Sequence, residues 1–146
     1  MAIYNKQSTA APFSGDDGNR VVFVDKATVP IALVAGDKVR PVLISAGTRV
    51  DRVVIKNGDL DTGTPALTAT IGFEYADGSA GGSATAIAAD GVNALQGVAT
   101  TTYELFPPVV VERDAYVVIT ATITANAQSA SADVHCKVEG ECLGAK

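Results

Sequence analysis

Tryptophan is absent, and the 146 residues hold one histidine (His135), one methionine and two cysteines. Aromatic residues are 5% of the chain, and only seven residues are leucine. Each scarcity removes a class of protein. A lone histidine cannot supply a histidine-rich metal centre or a pair of imidazoles for acid–base chemistry. Four Tyr, four Phe and no Trp make a poor platform for stacking sugars. A chain poor in Leu is a poor helical bundle. Basic residues are also the minority, eleven against sixteen acidic, for a net charge of −5. The closest basic pairs, Lys38 with Arg40 and Arg49 with Arg52, sit beside Asp37 and Asp51, so no basic stripe forms. Nucleic acid and anionic membranes are therefore not expected partners, because such polyanions are bound by a basic stripe that displaces their counterions.

What is abundant is β-branched. There are 19 Val, 14 Thr and 8 Ile beside 24 Ala. Such side chains suit a pleated surface and lose rotamer freedom in a helix. The length suits one domain with a sizeable core. The start, from Met1 to Lys6, lacks the apolar stretch of a secretory signal, so synthesis in a cytoplasm is expected. The longest uncharged run, Ala115 to Ala132, alternates with Thr and reads as a strand and turn, not a membrane span.

Residues 1–19 are polar and irregular and read as an extended N-terminal arm, with the domain proper at 20–146. From Arg20 onward, strand signals recur at intervals of roughly 8–12 residues, the spacing of a sandwich or barrel. Strands are expected at Arg20–Val24, Val29–Val34, Lys38–Ile44, Thr48–Lys56, Leu67–Tyr75, Val98–Phe106, Val109–Glu112, Asp114–Asn126 and Ala132–Glu139. Lys38–Ile44 carries apolar residues on both faces, as if covered on both sides. Thr48–Lys56 changes phase near Asp51-Arg52, which predicts a β-bulge there. The Ala-rich run Ser83–Asp90 reads as a short helix ended by Gly91. The last two strands read as a hairpin, and Ile123 falls on the inner face of the first. The expected fold is all-β: a single-domain, jelly-roll-like β-sandwich with at most one short helix.

Reactive constellations are sparse. Asn57, Asp59 and Asp61 place oxygen ligands at alternate positions, as a calcium loop does. The spacing departs from an EF-hand, with Gly63 at the seventh place and Thr68 at the twelfth, and Asx and Gly residues make turns for backbone reasons alone. The segment reads first as a turn, with calcium the alternative. In Ala132–Glu139, strict alternation puts Cys136 on the apolar face and His135 on the other, so they cannot share a metal. Cys136 reads as a small core residue, against a disulfide with Cys142 or an inter-subunit link. No nucleophile elbow, phosphate loop or dinucleotide fingerprint is present. No catalytic residue and no cofactor are expected.

Four segments carry a resemblance. Ala35-Gly36-Asp37-x-Val39-Arg40, then Ile44-x-Ala46-Gly47-Thr48-x-Val50, then Asn57-x-Asp59-Leu60-Asp61, then Thr70-Ile71-Gly72-Phe73 resemble small virion proteins of tailed bacteriophages, the head decoration (cement) proteins. The resemblance implies a β-sandwich that assembles as a trimer or other small oligomer on the outside of the capsid shell, partnered by the major capsid protein. It brings no catalytic residues. The expected interface residues are Tyr4 and Phe13 on the arm, Val39 and Pro41 in the two-sided strand, and Tyr116 and Val118 on an outer strand face. The alternative is a carbohydrate-binding or adhesin-like sandwich carried on a phage fibre, neck or tail.

Overall fold

The computed structural model describes residues 1–8 and 18–144. Within them run β1 (Ile3–Asn5), β2 (Arg20–Val29), β3 (Lys38–Ile44), β4 (Thr48–Asn57), β5 (Thr68–Tyr75), β6 (Ser83–Val92), β7 (Ala99–Val111), β8 (Ala115–Ile123) and β9 (Ala132–Cys142). One sheet has the order β1-β3-β8-β5-β6 and the other β2-β9-β4-β7. From β2 onward every neighbouring pair is antiparallel. Each successive connection except β5 to β6 crosses from one sheet to the other. Apart from the short β1, two four-stranded sheets wound in this way are a jelly roll, so the expected sandwich is the observed one.

Alternation does most of the folding work. Along β9, Ala132, Val134, Cys136, Val138, Gly140 and Cys142 are buried, while the intervening side chains reach the surface. In β5, Leu67 (just before it), Ala69, Ile71 and Phe73 enter the core, and Tyr75 packs against it. Each fully buried Leu, Ile or Val contributes about 1.5–3 kcal/mol of transfer free energy. The phase change near Asp51 is a bulge, because the register of β4 shifts between Val50 and Arg52 on both neighbours. Gly140 lies opposite it; a Cβ there would come within 2.4 Å of the Arg49 carbonyl oxygen.

Several expectations are corrected. Lys38–Ile44 is two-sided because of a second bulge, between Val39 and Val42, that brings Val39, Val42 and Ile44 to the same core. Val29–Val34 is not a strand: β2 runs from Arg20 to Val29 and stops at Pro30, which has no N–H to offer a ladder. Ser83–Asp90 is not helical but lies within the edge strand β6. Pairing with β5 outweighs the helix preference of alanine, which is under about 1 kcal/mol per residue; among the described residues the one helical turn is Ala94–Gln96. The two strands expected around Pro107-Pro108 are one strand, β7, whose register skips between Glu104 and Val109. An edge strand tolerates prolines in such a bulge. The last two strands form no hairpin. β8 is already flanked by β3 and β5, and β9 finds two neighbours, β2 and β4, in the opposite sheet. Ile123 is 52% exposed, because a register shift in the β5–β8 pairing turns it outward.

Residues 1–8 tie the two sheets together along one side. β1 pairs in parallel with β3, Lys6 bridges Ala27 of β2, and the Gln7 N–H donates to the Lys26 carbonyl at 2.8 Å. The rest of the expected arm, residues 9–17 with Phe13, lies outside the described residues.

Candidate interaction surface

The sequence-predicted residues fall in different places. Asn57 is buried, and its Nδ2 donates to the carbonyls of Gly58 and Gly97, each at 2.8 Å. Asp59 Oδ1 accepts the Asp61 N–H at 3.1 Å, an Asx turn. Asp61 Oδ2 accepts from Ala66 and Leu67, and Oδ1 from Asn126 and Ala127. Both Asp61 oxygens are thus aimed at N–H groups, while the buried Asn57 Oδ1 has no hydrogen-bond partner. Burial alone would raise the Asp61 pKa, but those four donors outweigh it and hold the carboxyl below its usual range. The three residues shape a turn, and the described residues contain no cluster of three or more His, Cys, Asp or Glu able to hold a metal.

Cys136 is buried and His135 is exposed on the other face, as alternation required; burial pushes the Cys136 thiol pKa up. Of the expected interface residues, Val39 and Val118 are 0% and 2% exposed and Pro41 is buried too, so all three are covered within this chain. Tyr4 is half-buried and packs against the core. Half-buried Tyr116 lies under the Arg40 guanidinium, 5.3 Å from its ring centre. Val118 pairs with Gly72, over which β6 crosses so closely that a Cβ on Gly72 would meet the Ser83 oxygen at 2.0 Å. Beside it Glu74 accepts from Lys38 and Arg40 at 2.9–3.2 Å.

Charge is distributed unevenly. The outer face of the four-stranded sheet carries ion pairs: Arg52 with Glu104 at 2.7 Å, Lys137 with Glu139 at 2.7 Å, and Arg20 with Asp51. At one end of the sandwich, the loops 45–47, 76–82 and 112–114 include Asp77, Glu112, Arg113 and Asp114. At the other end lie the loops 30–37, 58–67, 93–98 and 124–131. Their only charged residues are Asp37, Asp59 and Asp61; Asp37 and Asp61 are buried and Asp59 is half-buried and engaged in its turn. Ile31, Val34, Val98 and Ile123 are exposed at this end by 62%, 53%, 77% and 52%.

The four loops are laced to one another. Asp61 joins 58–67 to 124–131. The Ala125 N–H donates to Leu33 O at 2.9 Å, and the Ala35 N–H to Thr124 Oγ1 at 3.1 Å. Gln96 Nε2 donates to Leu67 O at 2.9 Å, and Asn57 reaches Gly97. Asp37 accepts from Val34 and from Ala2. This end, poor in exposed charge, escaped the sequence reading, which looked for reactive residues. Its signal was a shortage: Pro30–Gly36 and Ala121–Ala132 contain no charged residue. Elsewhere Val22 and Val24 of β2 and Val110 of β7 are exposed, and Phe106, 97% exposed, stands on the β7 edge beside Arg20, Arg52, Glu104 and Glu139.

The architecture belongs to the eight-stranded jelly rolls, here with one extra short strand. No known protein family and no curated protein matches the chain. Among solved structures it is similar to a chain in the cyanophage Pam1 capsid asymmetric unit, with TM-score 0.66, 23% identity and 92% of each chain covered. It is also similar to a chain in the capsid of Ralstonia phage GP4, with TM-score 0.65, 16% identity, 96% of this chain and 93% of that one. At these identities the likeness is one of fold, and it runs end to end in chains of similar length.

Proposed function

We propose that this chain is a structural protein of a tailed-phage virion: a head decoration (cement) protein that binds the major capsid protein on the outside of the shell and stabilises it. The observation that carries this reading is the end-to-end fold likeness to chains in two phage capsid structures. Fold alone does not imply function. Here it agrees with the resemblance of Ala35–Tyr75 to decoration proteins and with an acidic chain suited to the face turned away from packaged DNA. The reading assigns no catalytic residue, cofactor, nucleic acid or membrane. Its chemistry is burial of surface at subunit junctions, where a stable contact covers about 1,200–2,000 Å². A small homo-oligomer, with three copies favoured, would engage several capsomers at once and gain avidity without new contacts.

The test is co-sedimentation of the purified protein with empty shells of the major capsid protein of the phage that carries it. Saturable binding at a fixed copy number, with a raised shell melting temperature, supports the reading. Shells that pellet without the protein refute it.

A further inference from the structure

We propose that Asn57-Gly58 is a latent modification site. The folded chain holds Asn57 unreactive, opening of the loops beside it lets it deamidate, and the product no longer fits the native position. Conversion therefore marks opened copies of the chain irreversibly. This inference does not depend on the decoration reading.

The chemistry is local and needs only water. Gly58 N gives its proton to solvent base and bonds to Asn57 Cγ. The Cγ–Nδ2 bond breaks, and Nδ2 leaves as ammonia with a proton from water. Water then opens the cyclic imide at either carbonyl, giving aspartate or isoaspartate. Glycine favours the step because no Cβ shields its nitrogen and its backbone turns freely. Asn5, Asn19, Asn93 and Asn126 precede Lys, Arg, Ala and Ala, so Asn57 is the one asparagine followed by glycine.

The fold blocks each requirement. Asn57 closes β4 and is paired on both sides, with Ala99 of β7 and Val134 of β9, which holds its backbone extended. The Gly58 N–H donates to the Asp133 carbonyl at 3.0 Å, which commits its proton to β9. Asn57 Nδ2 is anchored by the Gly58 and Gly97 carbonyls. The residue is 2% exposed, so water has little access. Its Oδ1 has no hydrogen-bond partner, so no donor within the chain polarises Cγ.

The same contacts make the change one-way. A carboxylate in place of the amide turns an oxygen toward two carbonyl oxygens, and a buried charge without partners is costly. Isoaspartate lengthens the backbone by one atom where β4 is paired on both sides. Opening follows the loops: Asp61 ties 58–67 to 124–131, and Gly58 packs so close to Ala132 that a Cβ on it would lie 3.1 Å from the Ala132 Cβ.

The experiment incubates the protein in mildly alkaline buffer, folded or held unfolded in urea, and follows Asn57 by peptide mass mapping and an isoaspartate methylation assay. Conversion in the folded wild type is expected to be at least about a hundredfold slower than in urea, because it waits for openings populated at about one per cent or less. Asp61→Asn, which loosens the tie between loops, is expected to convert about tenfold faster than wild type while folded. Gly58→Ala is expected to lose most of the conversion in urea, and Asn57→Asp to melt well below wild type or not to fold. Conversion at equal rates in folded and unfolded wild type, or none in urea, overturns the site. An Asp61→Asn rate equal to wild type overturns the loops as the route of opening, and an Asn57→Asp chain that melts with wild type overturns the one-way step.

Discussion

The Asp61 carboxylate accepts the backbone N–H of Asn126 at 3.0 Å, across 65 positions of sequence. Its other oxygen holds Ala66 and Leu67, so one buried side chain joins the two long loops that cross between the sheets. Asp61→Asn keeps the shape but turns an NH2 group toward N–H donors. Leaving a buried donor unpaired costs about 1–3 kcal/mol. Urea unfolding of this variant is expected to show a loss of about 2–4 kcal/mol with an unchanged m-value.

Acid should loosen the same end. Burial would raise the pKa of Asp37 and Asp61, yet the N–H donors of Ala2 and Val34, and of Ala66, Leu67, Ala127 and Asn126, hold both below the usual value of 3.8. A carboxyl whose folded pKa is depressed gives stability that is fully present above its unfolded pKa and is lost as pH falls through the folded one. Melting temperature is therefore expected to be flat down to about pH 5 and to fall below about pH 4. Asp61→Asn should start lower and fall less steeply over that range. A parallel decline in both proteins would assign the acid response elsewhere.

Gly72 is a site of close approach. Valine there would place a Cβ 2.0 Å from the Ser83 oxygen and 2.4 Å from the Ala84 carbonyl carbon, both backbone atoms that cannot swing away. β6 would have to lift off β5. Gly72→Val is expected to destabilise by about 3 kcal/mol, at the high end for overpacking, and to open 76–92 to limited proteolysis.

The two cysteines should stay unlinked to each other. Cys136 and Cys142 lie on one strand, so six residues at about 3.3 Å each separate them by about 20 Å, whereas bonded cysteines have Cα atoms within about 7 Å. Intact mass after mild oxidation is expected to show no intramolecular bridge. Burial and the raised pKa of Cys136 predict alkylation there only after unfolding.

Much of this fold was legible because one face of each strand is buried. The alternation in β9 and β5, and its break at Asp51, could be read directly. What could not be read were choices made between distant segments. Ala84, Ala86 and Ala88 carry a helix-forming composition, yet Gly72 leaves room for them as an edge strand. The partner of β9 depends on β2 and β4 lying free in the other sheet. Val39 and Val118 look like surface residues in a single strand; a bulge covers the first and the β6 crossing the second. The lacing of the four loops at one end was least visible, because Asp61 and Asn126 meet only when the folded chain brings distant loops together.

The most direct test of the decoration reading is a difference map between shells assembled with and without this protein, determined by electron cryomicroscopy. The account predicts extra density on the outer surface at regular lattice positions, fitted by the jelly roll. Density confined to the inner surface, to a neck or tail, or absent altogether would contradict it.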